Sequence, residues 1–144
     1  MKSQIALSIA QMIELEALGV NITDASLAWV PLWKEDKKTI EKYYLEEYVY
    51  GKAHYSHVPA YTLEDLLRKM PTYIPSLYDK HEGYILRTGA ANPKQYYCSY
   101  EAVDLKNGPL MIQYGQSLMD CVFAIFKGVI NYDKVYAKLL EMND

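Results

Sequence analysis

The stretch that most constrains the fold is residues 117–130, which is predicted to form a helix that is apolar around most of its circumference. Ser117 followed three residues later by Asp120 is the capping-box pattern that starts helices. Behind this start nearly every side chain is apolar, and the polar side chains of Asp120, Lys127 and Asn131 fall on one narrow stripe. Such a helix has to be covered on most sides. We therefore predict a central buried helix at about 117–130.

The N-terminal segment carries both a start signal and a stop signal for a helix. Ser8 followed by Gln11 is a second capping box, and Gly19 supplies the left-handed residue that ends many helices. The run between them predicts a helix at about 9–18. Its apolar residues are expected on or near one inward face; these are Ile9, Met12, Ile13, Leu15, Ala17 and Leu18.

Similar signals predict a short helix in the middle of the chain and another at its end. Thr62 and Asp65 form a third capping box, and Pro71 disfavours continuation, which together predict a helix at about 63–70. Asp133 can cap a separate terminal helix that follows the central one.

Apolar and alternating runs predict five strands, at about 27–33, 39–50, 84–88, 95–101 and 110–114. In the first run, Pro31 marks an edge position or a bulge, because proline cannot donate to a β ladder. The spacing in 39–50 fits both helix and strand, and its tyrosines favour strand. Residues 89–94 are predicted to form a longer hairpin loop, and 51–59 and 73–82 are predicted loops.

These elements indicate an α+β fold. Short turns rather than crossover helices join neighbouring strands, so the sheet should be mainly antiparallel, with helices packed on one face. The chain has 144 residues, of which 51% are hydrophobic, and it shows no internal repeat or linker. We predict a single globular domain spanning 1–144.

Charge and cysteine content narrow the functional classes. The net charge is -3 and no run of Lys and Arg exceeds two residues, which argues against nucleic acid as a partner. Cys98 and Cys121 cannot form a disulfide framework, and both are expected to be small buried hydrophobic residues. The N-terminus lacks a secretory pattern and the longest apolar run, 121–126, is too short for a bilayer. We expect a cytoplasmic protein without a membrane partner.

No motif for catalysis or for cofactor binding is recognisable. The chain contains neither a Gly-x-Ser-x-Gly elbow nor a glycine-rich phosphate loop, so no catalytic residue and no cofactor are predicted. His54 and His57 lie three residues apart in a predicted loop, and a metal-dependent enzyme would need His81 with Glu82 or Asp79 as further ligands. Solvent-facing loop histidines are the favoured interpretation, and no metal is predicted.

Three segments, taken in order, resemble a set of small proteins carried by phages and prophages of anaerobic gut bacteria. They are Ala10–Val20 followed by Asp24–Val30, then Val58–Ile74, and finally Gln116–Ile130. The resemblance implies a compact α+β domain of mobile-element origin, and it carries no established activity and no functional residues. Residues 34–57 and the last dozen residues depart from the pattern. A shorter pattern, in which strands are followed by Gly115-Gln-Ser-Leu and a helix, resembles HicB-type antitoxin domains.

Tyrosine is strongly over-represented, with fifteen Tyr against two Phe and two Trp. This bias suits half-buried sheet faces, and it also suits a binding surface, because tyrosine offers contact area at low entropic cost. Our leading hypothesis is a non-enzymatic phage or prophage accessory protein that binds a protein partner, including a second copy of itself as a homodimer. An antitoxin-like, nucleic-acid-linked regulator and a metal-dependent enzyme are the alternatives. The candidate partner-binding residues lie on predicted strands; they are Trp29, Trp33, Tyr96, Tyr97 and Tyr100.

A homodimer would form by strand pairing if 27–33 or 95–101 lay at a sheet edge.

Overall fold

Neighbouring strands pair antiparallel throughout the computed structural model, which describes residues 4–76, 83–104 and 107–142. In chain order the elements are α1 (Ile9–Ala17), a 3-10 helix (Ile22–Asp24), β1 (Leu27–Trp33), β2 (Ile40–Glu47), β3 (Val58–Ala60), α2 (Leu63–Lys69), β4 (Tyr73–Ile74), β5 (Tyr84–Asn92), β6 (Gln95–Ala102), β7 (Met111–Gly115) and α3 (Leu118–Met142). The predicted α+β class is confirmed.

The strands of the described residues form two sheets, with strand orders β2-β1-β3 and β4-β5-β6-β7. The mainly antiparallel pairing that the sequence predicted is thus divided between two sheets. The chain correspondingly divides into two compact units, Met1–Asp65 and Leu66–Asp144. The single domain over 1–144 stays a prediction.

In the first unit, α1 begins and ends where the sequence signals predict. The backbone N–H of Gln11 donates to Ser8 Oγ at 3.1 Å, and the N–H of Ser8 donates to Gln11 Oε1 at 2.9 Å. Gly19 has a φ of +95°, and the N–H of Val20 donates back to the carbonyl of Leu15 at 3.1 Å. Both ends of α1 are therefore closed by local hydrogen bonds.

The buried stripe of α1 is narrower than the sequence suggested. Met12 and Leu15 are fully buried, whereas Ile13 is 58% exposed and Ala17 is also exposed, so the predicted inward positions of Ile13 and Ala17 were wrong. Consecutive helical residues point about 100° apart. A stripe through Met12 and Leu15 therefore leaves Ile13 on the flank.

The sheet of the first unit explains the proline in β1. β3 pairs only with Leu27–Trp29 of the seven-residue β1, so the β3 side of β1 carries no partner strand at Pro31 in the described part of the chain. The register with β2 also shifts between Leu32 and Trp33. The predicted edge or bulge is thus confirmed, as is the strand interpretation of 39–50 through β2. The predicted loop 51–59 missed β3.

The start of α2 reproduces the third capping box. The backbone N–H of Asp65 donates to Thr62 Oγ1 at 3.1 Å, and the N–H of Thr62 donates to Asp65 Oδ2 at 3.0 Å. The helix ends at Lys69, one residue before the predicted limit.

In the second unit, the β5–β6 hairpin is tighter than predicted. β5 continues to Asn92 and β6 begins at Gln95, so the turn contains only Pro93 and Lys94 and the predicted longer loop was wrong. Asn92 Oδ1 accepts the N–H of Lys94 at 2.9 Å, and the register shifts between Ala90 and Asn92. The side-chain hydrogen bond stabilises the turn. The register shift leaves one residue of β5, between Ala90 and Asn92, without a partner residue on β6, as in a β-bulge. The predicted loop 73–82 also missed β4.

α3 is one continuous helix, so the separate terminal helix capped by Asp133 was wrong. The chain between 129 and 142 contains neither glycine nor proline, and Asn131 and Asp133 are tolerated within a helix. Ser117 Oγ accepts the N–H of Asp120 at 3.3 Å, as predicted. The central buried stretch at 117–130 is confirmed; its buried residues are Met119, Cys121, Val122, Phe123, Ile125, Phe126 and Val129.

Candidate protein-binding surface

One face of the second-unit sheet packs against α3, through contacts with β5, β6 and β7. The close approaches identify which β7 residues lie on that face. A Cβ atom on Gly128 of α3 would lie 3.0 Å from Met111 Sδ, and one on Gly115 would lie 3.1 Å from Cys121 Sγ. Because side chains alternate along a strand, Ile112 and Tyr114 lie on the opposite face.

That opposite face carries a tyrosine pair. Tyr97 on β6 is directly opposite Tyr114 on β7, and the two ring centroids are 6.4 Å apart with a 49° interplanar angle. On its other side Tyr97 is opposite Gly89, where an added Cβ would lie only 3.0 Å from the Tyr97 ring. The ring of Tyr97 therefore lies over Gly89, in the space that a larger residue would occupy.

The exposed apolar area extends along β7. Ile112 is 38% exposed and Tyr114 is 48% exposed, while Tyr97 is half-buried. We call these three residues the open face. Isolated exposed hydrophobic residues are common, but an aromatic pair adjoining an isoleucine forms a contiguous patch.

Polar groups lie beside the open face. Arg87 Nε is 3.1 Å from Glu101 Oε2, across β5 and β6. The hydroxyl of Ser99, which is fully buried, donates to the other carboxylate oxygen of Glu101 at 3.2 Å. Partly exposed ion pairs of this kind contribute little stability, about 0–1 kcal/mol. The position of Arg87 and Glu101 gives the apolar patch a charged border.

The structure separates the three candidate tyrosines of β6. Tyr97 lies on the open face. Tyr96 and Tyr100 lie on the α3 face: the thiol of Cys121 is 3.6 Å from the carbonyl of Tyr96, and Tyr100 is fully buried. The Tyr100 hydroxyl donates to the carbonyl of Pro71 at 2.7 Å, and burial raises its pKa above the ordinary value. Tyr100 is a core residue.

The two candidate tryptophans of β1 also differ. Trp29 is half-buried and its indole Nε1–H donates to the carbonyl of Leu7 at 2.8 Å, which is a structural contact. Trp33 is 45% exposed at the far end of β1. It lies in the first unit and is not part of the open face.

The two strands considered for dimerisation differ in their neighbours. β6, which holds 95–101, runs between β5 and β7 and is not an edge strand. β1, which holds 27–33, runs between β2 and β3, and β3 pairs only with Leu27–Trp29, so an edge position on β1 is limited to the residues after Trp29 in the described sheet.

Sequence reasoning missed Ile112 and Tyr114. The strand at 110–114 was predicted, and alternation already placed these two residues on one face. Which face α3 covers could not be read from the alternation.

The candidate metal-binding histidines engage each other and their own turn. The ring centroids of His54 and His57 are 6.1 Å apart. His54 Nδ1 accepts the backbone N–H of Ser56 at 3.2 Å and lies 2.7 Å from Ser56 Oγ. His81, Glu82 and Asp79 lie outside the described residues. Within the described ranges, no three His, Cys, Asp or Glu side chains come together as a metal-binding group.

A cleft of about 500 Å³ lies in the second unit, where the end of α2 approaches α3. Its lining residues are Arg68, Lys69, Met70, Pro71, Tyr73, Ile74, Pro75, Tyr132 and Asp133. Cations and an acid line the same space, so the cleft favours no particular ligand charge.

Among the helices of the described residues, none has the length and hydrophobicity required to span a bilayer. No protein-family model, curated protein or solved structure matches the chain.

Proposed function

We propose that this protein is a non-enzymatic binding protein whose open face contacts the surface of another folded protein. The observation that supports the proposal is the Tyr97–Tyr114 pair with Ile112, exposed on the sheet face opposite α3. Aromatic residues are enriched at the centres of protein interfaces, where they bury large areas at low entropic cost.

The chemistry of the patch specifies the kind of partner. An apolar centre with a charged border requires a partner surface that is apolar at its middle and polar around it. Arg87 and Glu101 form that border here, and their pairing leaves no uncompensated charge to attract a polyanion. A folded protein surface fits this description. The setting of the function in a phage or prophage rests on the sequence resemblance alone.

The experiment compares two tyrosine variants in partner binding. The protein would be used to isolate partners from a host lysate, and each partner would be purified and titrated calorimetrically. Tyr114→Ser removes the more exposed ring of the open face. Tyr43→Ser is the matched control, because Tyr43 is 38% exposed on β2 in the other unit.

The expected result is a purified partner whose affinity falls about 30-fold with Tyr114→Ser, the effect of losing an interface hot spot of about 2 kcal/mol. Tyr43→Ser should bind as the wild type does. Equal affinity of all three proteins for every partner would overturn the proposal.

A further inference from the structure

Three of the four edge strands in the described sheets carry features that hinder pairing with another strand. β2 has four charged residues among its eight, Glu41, Lys42, Glu46 and Glu47. β3 has three residues with Pro59 in the middle, and β4 has two residues. Charge, proline and short length are the ways in which natural proteins protect sheet edges.

β7 is the exception. It is the terminal strand of the order β4-β5-β6-β7, and the sequence from 107 to 119 contains no charged residue. Within β7, Ile112, Gln113 and Tyr114 are all exposed. An uncharged, exposed edge strand offers a row of backbone N–H and C=O groups to another strand.

We propose that β7 pairs antiparallel with β7 of a second copy of this chain, with Gln113 opposite Gln113 of the second copy. The pairing joins two four-stranded sheets into one of eight strands. The inference goes beyond the proposed function, because it concerns backbone pairing at the edge of the sheet, which also sets Ile112 and Tyr114 of the open face beside their counterparts in the second copy.

Symmetry selects this register. A twofold axis that relates two antiparallel edge strands runs perpendicular to the sheet. Each residue therefore lies opposite a residue of the second copy whose side chain points to the same face of the sheet. One residue therefore lies opposite its own counterpart. Centring on Gln113 pairs all five residues of Met111–Gly115, whereas centring on Ile112 or Tyr114 pairs only three of them.

The side chains fit that register on both faces. Ile112 lies opposite Tyr114 of the second copy, so the exposed apolar residues cover each other. On the α3 face, Met111 lies opposite Gly115, a large residue against a small one. Gln113 meets its own amide counterpart, whose donors and acceptor can pair with each other.

The charges distinguish β7 from β2. In β7 no charge meets a like charge. The β2 register centred on Tyr44 would set Glu41 opposite Glu47 and Lys42 opposite Glu46 on both sides of the axis, so its like and opposite charge pairs offset each other and give no net attraction. A self-complementary, uncharged strand therefore identifies a second copy of this chain as the occupant.

Sedimentation of the purified chain with charge variants at Gln113 tests the pairing. Gln113 is exposed, so Gln113→Lys and Gln113→Glu should both fold. Each sets like charges opposite each other at the axis. We expect the wild type to show a monomer–dimer equilibrium and each variant to raise the dimer Kd about tenfold. An equimolar mixture of the two variants should restore the wild-type Kd. The control, Tyr43→Lys, adds the same charge to β2 and should leave the Kd unchanged.

Cross-linking gives a second, structural readout. Opposite residues on paired strands have Cβ atoms about 4.5–5.5 Å apart, within reach of a disulfide after a small shift. Mild oxidation of Gln113→Cys should therefore give a covalent dimer, and Tyr43→Cys should not. Cys98 of β6 lies directly opposite Gln113 and could form a disulfide within one chain, so both cysteine variants carry Cys98→Ala as well.

Three results would overturn the inference: a wild type that is monomeric at all accessible concentrations, a Gln113→Lys variant that dimerises like the wild type, or no cross-link through Gln113→Cys. If the wild type is monomeric while its open face still binds another protein in a Tyr114-dependent manner, the self-pairing fails and the proposed function stands.

Discussion

The carboxylate of Asp65 accepts two hydrogen bonds from Ser26, from the backbone N–H at 3.0 Å and from the hydroxyl. It also accepts the N–H of Thr62, so one side chain that is 5% exposed joins the residue before β1 to the first turn of α2. Burial by itself would raise the pKa of Asp65. The hydrogen bonds from Ser26 and Thr62 outweigh burial and hold the pKa below its ordinary value.

We expect Asp65→Asn to lower the free energy of unfolding by about 2 kcal/mol. The amide has one acceptor oxygen instead of two and no charge, so at least one donor of Ser26 or Thr62 loses its partner. Denaturant unfolding would measure the change. Glu64→Gln, an acid-to-amide change at the adjacent exposed position, is the control and should alter stability by less than about 0.5 kcal/mol. Equal effects would mean that the contacts of Asp65 carry no net stability.

The Asp65 carboxylate should make the free energy of unfolding depend on pH in the acid range. Because the folded pKa lies below the ordinary value of 3.8, the unfolded chain takes up the proton first as the pH falls. The contribution of Asp65 is complete above about pH 5 and declines as the pH falls through the folded pKa. The difference in unfolding free energy between wild type and Asp65→Asn should therefore narrow below about pH 4. A difference that is constant down to pH values near 2 would contradict this.

Gly83→Ala should destabilise the second unit by about 3 kcal/mol. Gly83 has a φ of +130°, and an added Cβ would lie 2.5 Å from the backbone carbonyl oxygen of Ile74. Strain at such a φ and a clash with backbone both act against the alanine. Thermal and denaturant unfolding would show the loss. Gly108→Ala, where no atom lies within 4 Å of the added Cβ, should be neutral or slightly stabilising.

Phe123 and Lys127 should differ sharply in their tolerance of alanine. Phe123 is buried in α3, so Phe123→Ala should cost about 4 kcal/mol through lost burial and a cavity. The ammonium of Lys127 lies 4.5 Å from the centroid of the Phe123 ring, a cation–π contact that contributes about 0.5–1 kcal/mol at a partly exposed site. Lys127→Ala should therefore cost about 0.5 kcal/mol. Similar losses for the two variants would place the core of the second unit elsewhere.

Neither native thiol should react while the protein is folded. Burial raises the pKa of the Cys98 thiol to about 12 and also raises that of Cys121, so both stay protonated at pH 8. A thiol reagent such as 5,5′-dithiobis(2-nitrobenzoate) should label both residues only as fast as the chain unfolds. The exposed thiol of Gln113→Cys serves as the positive control. Rapid labelling of the native wild type would show that one thiol is accessible.

Both thiol pKa values are higher in the folded protein than the unfolded value of about 9. The free energy of unfolding therefore keeps its full contribution from the protonated thiols below about pH 9. It falls as the pH rises above that value, because the unfolded chain loses the thiol protons first. Labelling should accordingly accelerate only at alkaline pH.

The elements that the sequence predicted well are those stabilised by neighbours in the chain. The pairs Ser8 with Gln11, and Thr62 with Asp65, form reciprocal hydrogen bonds across three residues, so each helix start is encoded locally. The missed elements are β3 and β4, which have only three and two residues. Strands this short exist because a longer strand lies beside them, and no local pattern reports that neighbour.

The sequence by itself determined the helix starts, the main strands, the α+β class and the apolar core of α3, because capping and side-chain periodicity act over a few residues. Only the tertiary structure decided that the strands form two sheets, that β7 is an uncharged edge, and that Tyr97 is on the surface while Tyr100 is in the core. Both faces of β6 carry tyrosine, so alternation shows that Tyr97 and Tyr100 point in opposite directions without showing which face α3 covers. That choice depends on packing between residues far apart in the chain, and it determines which tyrosines remain available to a partner.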